Sequence, residues 1–389
     1  MKMTLTAVCD FQGGTQPPKN EWIDHEANGY VRMLQIRDFT QSEKDNIEYV
    51  KDTKNLKKCN ENDILIGRYG ASVGKILTGL SGAYNVAIVK AIPDTEKIFA
   101  RYLYYFFTSP YFQNFIKSVG SRAAQTGFNK DDLKNAVIPL ISTDEQHKIA
   151  AVLDKVSSLI AKRRQQLDKL DELVKAKFVE MFGDPVTNPK GWKIDQLGSY
   201  MTTLTDFSAN GSYELLDSNV VMYDEPNYAV MVRTIDLEAG NLDSGVKYID
   251  QQAYELLSKS KLYGGELIMN KIGSAGKIYI MPHIGKPASL GRNAFMFRFD
   301  ERINMVFLYA LLTSDYGKVE IQQYVRGAVT KTITKASTKA IRIIVPPIEL
   351  QNQFAAFVEQ TEKTKTTISK SLEKLETLKK ALMQEYFGV

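Results

Sequence analysis

The feature that most constrains this chain is an internal repeat. Residues 167–183 read LDKLDELVKAKFVEMFG and residues 372–388 read LEKLETLKKALMQEYFG, and nine of these seventeen positions are identical at a constant offset of 205. Three more pairs of similar segments occur in the same order in both halves, namely 30–39 with 228–237, 63–76 with 266–278, and 102–109 with 307–314. Four collinear matches predict a duplicated fold, in which each half is one module followed by one long helix.

Segments rich in proline and glycine mark the ends of the repeated parts. The stretch FGDPVTNPKGW (182–192) holds two prolines and two glycines, which end one helix and open the second half of the chain. Pro139 and the pair Pro346-Pro347 precede the two helical segments. We therefore predict four consecutive parts, which are a first module over 1–143, a helix over 144–184, a second module over 185–348 and a helix over 349–389.

Both helical segments carry the seven-residue pattern of a coiled coil. Steps of four and three residues meet apolar side chains at eight of ten positions from Ile149, and at seven of ten from Phe354 if tyrosine is counted. The seam residues predicted from this register are Leu153, Ile160, Leu167 and Leu170 in the first helix and Val358, Ile368, Leu372 and Leu375 in the second. Pairing with a second copy or with another protein is also possible. We favour antiparallel pairing within the chain, because each helix has its complement there.

Each module has the pattern of a mixed α/β domain. Runs of β-branched and aromatic residues between turn residues predict strands, and one longer apolar segment in each module predicts a helix. The predicted strands are 30–36, 62–68 and 84–92 in the first module and 229–235, 265–272, 277–281 and 293–299 in the second. The predicted helices are 100–119 and 305–325. The expected fold class is α+β, with two mixed modules separated by long antiparallel helices and a pseudo-two-fold internal repeat.

The excess positive charge lies on the modules. The formal net charge is +5, and residues 144–184 carry eight basic and eight acidic side chains while residues 349–389 carry six of each. The excess is therefore +3 on residues 1–143 and +2 on residues 185–348. Two mildly basic heads on a neutral coiled coil are compatible with two contacts to a polyanion such as nucleic acid. So small an excess affects binding only where the fold concentrates it on one face.

Several classes of protein and site are disfavoured by what the chain lacks. Its two cysteines and three histidines have no metal-ligand spacing, and no methyltransferase, HNH nuclease or hydrolase signature occurs. We therefore predict neither a metal site nor catalytic residues. No apolar run approaches the length of a membrane span, and the first residues lack the apolar core of a signal peptide. We expect a cytoplasmic protein without membrane contact.

Four segments of the chain resemble a known family. They are DEQHKIAAVLD (144–154), the segment 167–184, PKGWKIDQLGS (189–199) and LEKLETLKKALMQEYFG (372–388). Together with the order of module, helix, module and helix, they are similar to the specificity (S) subunit of type I restriction–modification systems, the HsdS family. The likeness covers nearly the whole chain, and its specific part is the two helical segments with their proline-flanked entries.

The resemblance implies a DNA-recognition subunit without catalytic activity. Each module would be a target recognition domain that reads one half of a bipartite double-stranded DNA target. The helices would fix the gap between the halves and dock modification (methyltransferase) subunits, commonly two, and restriction (translocase–nuclease) subunits would join this core. S-adenosylmethionine would bind to the modification subunits, and ATP and magnesium to the restriction subunits, so no cofactor is expected in this chain.

Two glycine-rich segments have a superficial likeness to the phosphate-binding loops of ATPases. GRYGASVGK (67–75) and GSAGK (273–277) lack the glycine spacing, and the Ser or Thr after the lysine, that the Walker pattern requires. We predict tight turns between strands instead. The candidate contacts to DNA phosphates beside these turns are Arg68, Lys75, Lys271 and Lys277. The alternative is that these side chains are ordinary solvated surface charges.

Arginine, asparagine and glutamine read base edges by paired hydrogen bonds, and such residues occur in both modules. The candidates are Gln35, Arg37, Asn85, Arg122 and Gln125 in the first module and Arg233, Arg292, Asn293 and Arg326 in the second. Two polar stretches, 118–130 and 324–335, have the composition of loops that could enter a groove. They add the candidates Lys130, Lys331 and Lys335. The alternative for each stretch is an ordinary polar loop.

Two other functions remain open on sequence grounds. The chain could be a coiled-coil adaptor that joins proteins and binds no DNA, or a self-sufficient nuclease or methylase. An affinity for duplex DNA that falls steeply with salt would exclude the adaptor. Turnover by the purified chain alone would indicate the enzyme.

Overall fold

The computed structural model describes residues 1–41, 46–120 and 127–388, so the candidates Arg122 and Gln125 lie outside the described residues. The chain divides into two units. Unit 1 comprises Met1–Gln165 and Ile368–Val389, and unit 2 comprises Gln166–Thr367.

Unit 1 is built on short strands rich in β-branched and aromatic residues, which suit a half-buried pleated surface. Its strands are β1 (Lys2–Thr4), β2 (Cys9–Gly13), β3 (Trp22–Ile23), β4 (Tyr30–Leu34), β5 (Tyr49–Lys51), β6 (Lys58–Cys59), β7 (Ile64–Gly67), β8 (Ile76–Leu77), β9 (Gly82–Tyr84), β10 (Ile88–Pro93) and β11 (Val137–Pro139). Its helices are α1 (Ile36–Thr40), α2 (Ala100–Thr108), α3 (Pro110–Gly120) and the first part of α4 (Thr143–Phe182).

Among the described residues, unit 2 has ten strands where unit 1 has eleven, and six short α-helices where unit 1 has three. Its strands are β12 (Lys193–Gln196), β13 (Met201–Asp206), β14 (Ala229–Val232), β15 (Lys247–Ile249), β16 (Lys261–Leu262), β17 (Leu267–Asn270), β18 (Ile278–Ile280), β19 (Ala288–Leu290), β20 (Ala294–Phe299) and β21 (Arg342–Val345). Its helices are α5 (Tyr213–Asn219), α6 (Thr234–Ala239), α7 (Gln251–Leu256), α8 (Met305–Thr313), α9 (Asp315–Gln322), α10 (Lys335–Ala340) and the first part of α11 (Ile348–Phe387). The last part of α4 also belongs to unit 2, and the last part of α11 belongs to unit 1.

The order of strands in the sheets is the same in the two units, except that unit 1 has an additional edge strand, β3, beside β5. Unit 1 has sheets β2-β10-β7-β8, β3-β5-β4-β9-β6 and β1-β11, and unit 2 has sheets β13-β20-β17-β18, β15-β14-β19-β16 and β12-β21. The parallel pair β4 and β9 in unit 1 corresponds to the parallel pair β14 and β19 in unit 2. This repetition confirms the predicted mixed α/β modules and the internal pseudo-symmetry.

The two long helices, α4 and α11, have 40 residues each. Both end at the repeated Phe-Gly pair, where the glycine N–H caps the last turn, from Gly183 to Val179 O and from Gly388 to Gln384 O, each at 2.8 Å. The predicted ranges were 144–184 and 349–389. Each helix therefore begins one residue earlier and stops two residues earlier than its predicted range.

The long helices run antiparallel, as the fold-class prediction expected. In unit 1 the beginning of α4 and the end of α11 share one core, which contains Leu153 and Met383, and Arg164 Nη2 pairs with Glu376 Oε1 at 2.6 Å. In unit 2 the end of α4 meets the beginning of α11, and Lys365 Nζ pairs with Asp171 Oδ1 at 2.7 Å. Of the predicted seam residues, Leu153 and Ile160 are buried, and the half-buried ones are Leu167, Leu170, Val358, Ile368, Leu372 and Leu375.

Aromatic residues of the helices complete the core of each unit. The ring of Phe387 lies 5.0 Å from the ring of Tyr102 in unit 1. The ring of Phe182, 205 residues earlier, lies 4.7 Å from that of Phe307 and 5.5 Å from that of Phe354 in unit 2. The repeated phenylalanine therefore anchors each helix end in an equivalent core.

The predicted helices 100–119 and 305–325 are each split at a serine, which corrects the sequence-based expectation. Ser109 separates α2 from α3, and Ser314 separates α8 from α9. The serine hydroxyl caps the second helix, since Ser109 Oγ accepts from Phe112 N–H at 3.3 Å and Ser314 Oγ from Gly317 N–H at 3.2 Å.

The predicted strands 30–36 and 229–235 are shorter than expected. They end at Leu34 and Val232, where the chain turns into α1 and α6. A carboxylate three residues further on accepts the first free N–H, from Gln35 to Asp38 Oδ2 at 2.7 Å and from Arg233 to Asp236 Oδ2 at 2.9 Å. This capping favours a helical turn over continued strand.

None of the helices in the described ranges combines the length and the apolar character that crossing a bilayer requires. Within the same ranges, no group of three or more His, Cys, Asp or Glu side chains is placed to hold a metal ion.

Candidate nucleic-acid interface

In unit 2 the candidate Arg233 lies at the turn between β14 and α6. Its Nε and Nη2 donate to both oxygens of Asp236, at 3.0 and 2.6 Å, and Nη2 also donates to Gly245 O at 2.9 Å. The Asp236 carboxylate is buried. Asp236 therefore fixes the orientation of the Arg233 side chain, and this pairing uses the guanidinium edge formed by Nε and Nη2.

Next to this turn is an open cavity of about 350 Å³. Arg233, Arg292 and Asn293 line it together with apolar side chains that include Phe207 and Met222. The guanidinium of Arg292 lies 5.2 Å from the centre of the Phe207 ring and pairs with Asp217 Oδ1 at 3.0 Å. The cavity thus brings together three predicted base-reading residues beside exposed apolar surface.

Asp206, at the end of β13, holds two more candidates. Lys271 Nζ lies 3.1 Å from Asp206 Oδ2, and Lys335 Nζ lies 2.8 Å from Asp206 Oδ1. Burial of this carboxyl group raises its pKa, but the hydrogen bonds and charges of the two lysines outweigh that effect, so the pKa lies below its ordinary value. Lys271 N–H also donates to Asn293 O at 2.8 Å, which places this pair beside the cavity.

The remaining candidates of unit 2 surround the glycine turn between β17 and β18. Lys277 and Lys331 line a second open cavity of about 460 Å³ beside Gly273, and Lys277 forms an ion pair with Glu238. Gly273 N–H donates to Lys331 O at 2.9 Å. Arg326 pairs with Thr332 as an isolated bridge in the same loop. The predicted turn between strands is confirmed, and the loop that follows α9 is bonded to it.

In unit 1 Gln35 occupies the backbone position that is equivalent to Arg233 in unit 2. Its Nε2 donates to Glu48 Oε2 at 2.7 Å, and Arg37 Nη2 lies 2.5 Å from the same oxygen. Lys19 forms an ion pair with the other oxygen of Glu48. Partial burial raises the pKa of Glu48, but these three donors outweigh it, and the pKa is lower than usual. Gln35 and Arg37 therefore share one ionised anchor.

Asn85 and Arg68 lie next to this group along the backbone. Asn85 N–H donates to Leu34 O at 3.2 Å, and Arg68 N–H donates to Ala87 O at 2.8 Å. Asn85 Oδ1 accepts from Ala87 N–H at 3.1 Å, a local turn that divides the predicted strand 84–92 into β9 and β10. The half-exposed Arg68 donates from Nε to Phe128 O at 2.9 Å.

Two further lysines complete the candidates that are described in unit 1. Lys75 is exposed just after the glycine turn between β7 and β8, which was also predicted correctly. Lys130 forms an ion pair with Asp10 on β2. Tyr69, next to Arg68, forms an isolated bridge with Gly127.

The turns of the two units match in detail. Gly74 and Gly276 both have positive φ, of 79° and 87°. An added Cβ would lie 2.6 Å from Ile116 Cγ2 at the first and 2.5 Å from Ile321 Cγ2 at the second. A side chain at either glycine would clash with the helix that packs beneath the turn. Lys75 and Lys277 therefore occupy equivalent places, as do Arg68 and Lys271, whose N–H groups bond to equivalent carbonyls.

Sequence reasoning missed the carboxylates that hold the candidates. The ion pairs are Arg37 with Glu48, Lys130 with Asp10, Arg233 with Asp236, Lys271 and Lys335 with Asp206, Lys277 with Glu238, and Arg292 with Asp217. Over the described ranges, no carboxylate pairs with the remaining cationic candidates, Arg68, Lys75, Arg326 and Lys331. Only the carboxylates three residues after Gln35 and Arg233 carry a signal in the sequence, because QIRD and RTID repeat there.

Comparison with protein families gives a match over most of the chain. Residues 1–172 and 202–379 match the family described as the type I restriction modification DNA specificity domain. A relative from Methanocaldococcus jannaschii, the type I restriction enzyme MjaVIII specificity subunit, is 26% identical over 372 residues, covering 93% of this chain and 86% of the relative.

Two solved structures have a similar fold. The S subunit of a type I restriction–modification system from M. genitalium has a TM-score of 0.59 at 15% identity, with 100% of this chain and 96% of that chain covered. A chain from a structural study of complex assembly and conformational transition in the type I R-M system has a TM-score of 0.58 at 16% identity, covering 100% and 97%. At these identities the likeness concerns the fold alone.

Proposed function

From the premise that this chain belongs to the type I restriction–modification DNA specificity family, we propose that its two modules read the two halves of one split duplex target. The chain is a DNA-recognition subunit of a type I restriction–modification complex, and it is not an enzyme. Catalysis belongs to partner subunits, so the coiled-coil adaptor and the self-sufficient enzyme are not favoured. Residues 1–143 would read one half-site and residues 185–348 the other, with the helices 144–184 and 349–389 setting the gap.

One observation carries this proposal: equivalent backbone positions in the two units bear different polar side chains. Gln35 stands where unit 2 has Arg233, and Arg68 stands where unit 2 has Lys271. Glutamine favours adenine edges and arginine favours guanine edges. A duplicated scaffold with unlike contact residues suits a target whose two halves differ in sequence.

The candidates divide into two proposed roles by their chemistry. Contacts to phosphates are proposed for Arg68, Lys75, Lys130, Lys271, Lys277, Lys331 and Lys335. Contacts to bases are proposed for Gln35, Arg37, Asn85, Arg122, Gln125, Arg233, Arg292, Asn293 and Arg326. The cavity beside Arg292 supports the second role, because its apolar wall, including Met222, offers a surface for a thymine methyl group.

Expression of the chain with its modification subunit, followed by methylome mapping, tests the proposal. We expect one bipartite motif with a fixed gap. Duplexes that carry this motif should bind the complex more tightly than duplexes with a longer or shorter gap. Indifference to the gap, or a contiguous motif, would contradict the proposed division between the modules.

Arg68 offers a second test, of the phosphate role in unit 1. Replacing Arg68 with methionine removes a cation that has no carboxylate partner over the described ranges. We expect the slope of log affinity against log salt concentration to become shallower by about 0.9, the value for one lost phosphate contact. The control is Lys2→Met, which removes an equal charge from an exposed position on β1. Equal slopes for the two variants would exclude the proposed contact.

We further propose that two modification subunits dock on the chain, one on each unit. Leu173 and Leu378 are identical repeat positions, and their exposed fractions are 47% and 46%. Neither lies on the predicted seam. Repeated exposed leucines outside the seam support a docking surface present in two copies.

The proposal also assigns the small ligands to the partner subunits. S-adenosylmethionine would bind to the modification subunits, and ATP and magnesium to the restriction subunits. Isothermal titration of the isolated chain with each ligand should give no heat of binding. Restriction subunits would join the assembled core of this chain and its modification subunits.

A further inference from the structure

The lysine pair on Asp206 in unit 2 differs from an ordinary surface ion pair. The carboxylate is 8% exposed, whereas the side chains of Lys271 and Lys335 are 20% and 41% exposed. One carboxylate oxygen faces each ammonium group. Two positive charges around one negative charge leave a local excess of one.

The two lysine side chains pack on one aromatic ring and leave from the ends of regular elements. Both ammonium groups lie over the ring of Phe295, at 5.7 Å for Lys271 and 6.0 Å for Lys335 from its centre. Lys271 follows strand β17 and Lys335 begins helix α10, so neither side chain leaves from the middle of a long loop. Each ammonium group has three N–H donors, and the carboxylate uses one of them. The other donors remain for a further acceptor.

In unit 1 a different residue occupies the place that is equivalent to the lysine pair. Arg68 corresponds to Lys271, and the strand position that corresponds to Asp206 is Gly13, whose added Cβ would lie 3.8 Å from Arg68 Nη1. An arginine presents a rigid fork of donors that matches a phosphate. A single lysine presents only a flexible point charge. Two lysines held on one carboxylate give unit 2 a fork of comparable fixed geometry.

We propose that Lys271 and Lys335 together bind one phosphate of the DNA backbone, and that Asp206 is the positioning residue that holds them as a pair. This inference rests on the proposed function and deepens it. Asp206 touches no DNA in this arrangement. Its effect on binding is opposite to that expected from its charge, because a negative group near DNA would otherwise weaken binding.

The decisive variant is Asp206→Asn, studied in the complex of the chain with its modification subunits. The probe is a duplex that carries the mapped bipartite motif, and anisotropy is recorded over a series of sodium chloride concentrations. The variant removes one negative charge and so raises the net charge by one. We nevertheless expect affinity to fall about tenfold, as for the loss of one charge-assisted contact, and the salt slope to become shallower by about 0.9.

Asp224→Asn is the matched control. Asp224 pairs with Lys247 at 2.5 Å, and its side chain is 83% exposed, so this variant adds the same charge without releasing a held pair. We expect its affinity to be unchanged or slightly higher. Tighter binding by Asp206→Asn, or an unchanged slope, would overturn the inference.

The lysines provide a test that does not depend on the stability of Asp206→Asn. If both lysines share one phosphate, then the double variant Lys271→Met, Lys335→Met should make the salt slope shallower by about 0.9, the value for one lost phosphate contact. Independent contacts would instead add, giving about 1.8 in the double variant. A change of about 1.8, or no change, in the slope of the double variant would exclude the shared contact.

Failure of this inference can be told apart from failure of the proposed function. A wild-type complex that binds the bipartite duplex no better than a shuffled duplex would refute the function itself. A wild-type complex that discriminates between them, with Asp206→Asn indistinguishable from it, would refute only the lysine pair.

Discussion

Replacing Phe387 with alanine is expected to lower the free energy of unfolding of unit 1 by about 3–5 kcal/mol. Phe387 is fully buried at the last residue of α11, and its ring lies 5.0 Å from Tyr102 and 6.1 Å from Phe106. Alanine would remove these contacts and leave a cavity in a core that is formed by two distant parts of the chain. The loss combines the transfer of the ring from its apolar site with the cost of that cavity.

Phe182→Ala should have the same effect on unit 2. Phe182 is also fully buried, and its ring lies 5.0 Å from Phe178, 4.7 Å from Phe307 and 5.5 Å from Phe354. Hydrogen exchange measured by mass spectrometry localises each effect. Amides of α2 should lose protection in Phe387→Ala, and amides of α8 should lose protection in Phe182→Ala.

Leu378→Ala is the control for these two variants. It shortens a side chain on the same helix as Phe387, but Leu378 is 46% exposed, so its effect should stay within about 0.5 kcal/mol. If Phe387→Ala changed the stability as little as Leu378→Ala, then the end of α11 would not belong to the core of unit 1.

The sequence predicted those features that depend on long-range self-similarity. The repeat at an offset of 205 predicted two α/β modules and two paired helices, because identical patterns in one chain fold alike. The seven-residue pattern also identified Leu153 and Ile160, which are buried. Glycine turns such as the one at Gly276 were predictable as well, since a conformation with positive φ disfavours any other residue.

What the sequence could not predict depends on pairs of distant residues. Lys335 forms an ion pair with Asp206 over a sequence separation of 129 residues, and no local sequence pattern predicts this contact. The split of the apolar run 305–325 depends on one hydroxyl, that of Ser314, whose capping role competes with helix continuation. Sequence reasoning therefore did not reveal which of the candidates a carboxylate holds.

Replacing both Leu173 and Leu378 with glutamate is expected to abolish docking of the modification subunits. If each leucine is buried in its own copy of one interface, an unpaired carboxylate there costs about 3 kcal/mol or more. That cost corresponds to a loss of affinity of at least about 100-fold. Each single variant should keep one modification subunit and lose the other. Native mass spectrometry of the reconstituted complex counts the subunits directly.

The control uses another identical pair of the same repeat. Lys175 and Lys380 are exposed and lie two residues after the leucines, which places them about 200° around each helix. Lys175→Glu with Lys380→Glu should therefore leave two subunits bound. Since the leucines are exposed, their glutamate variants should fold normally, so lost docking would not reflect unfolding. Retention of two modification subunits by the Leu173→Glu, Leu378→Glu variant would show that docking uses another surface. Loss of both subunits in a single variant would show that the two sites are not independent.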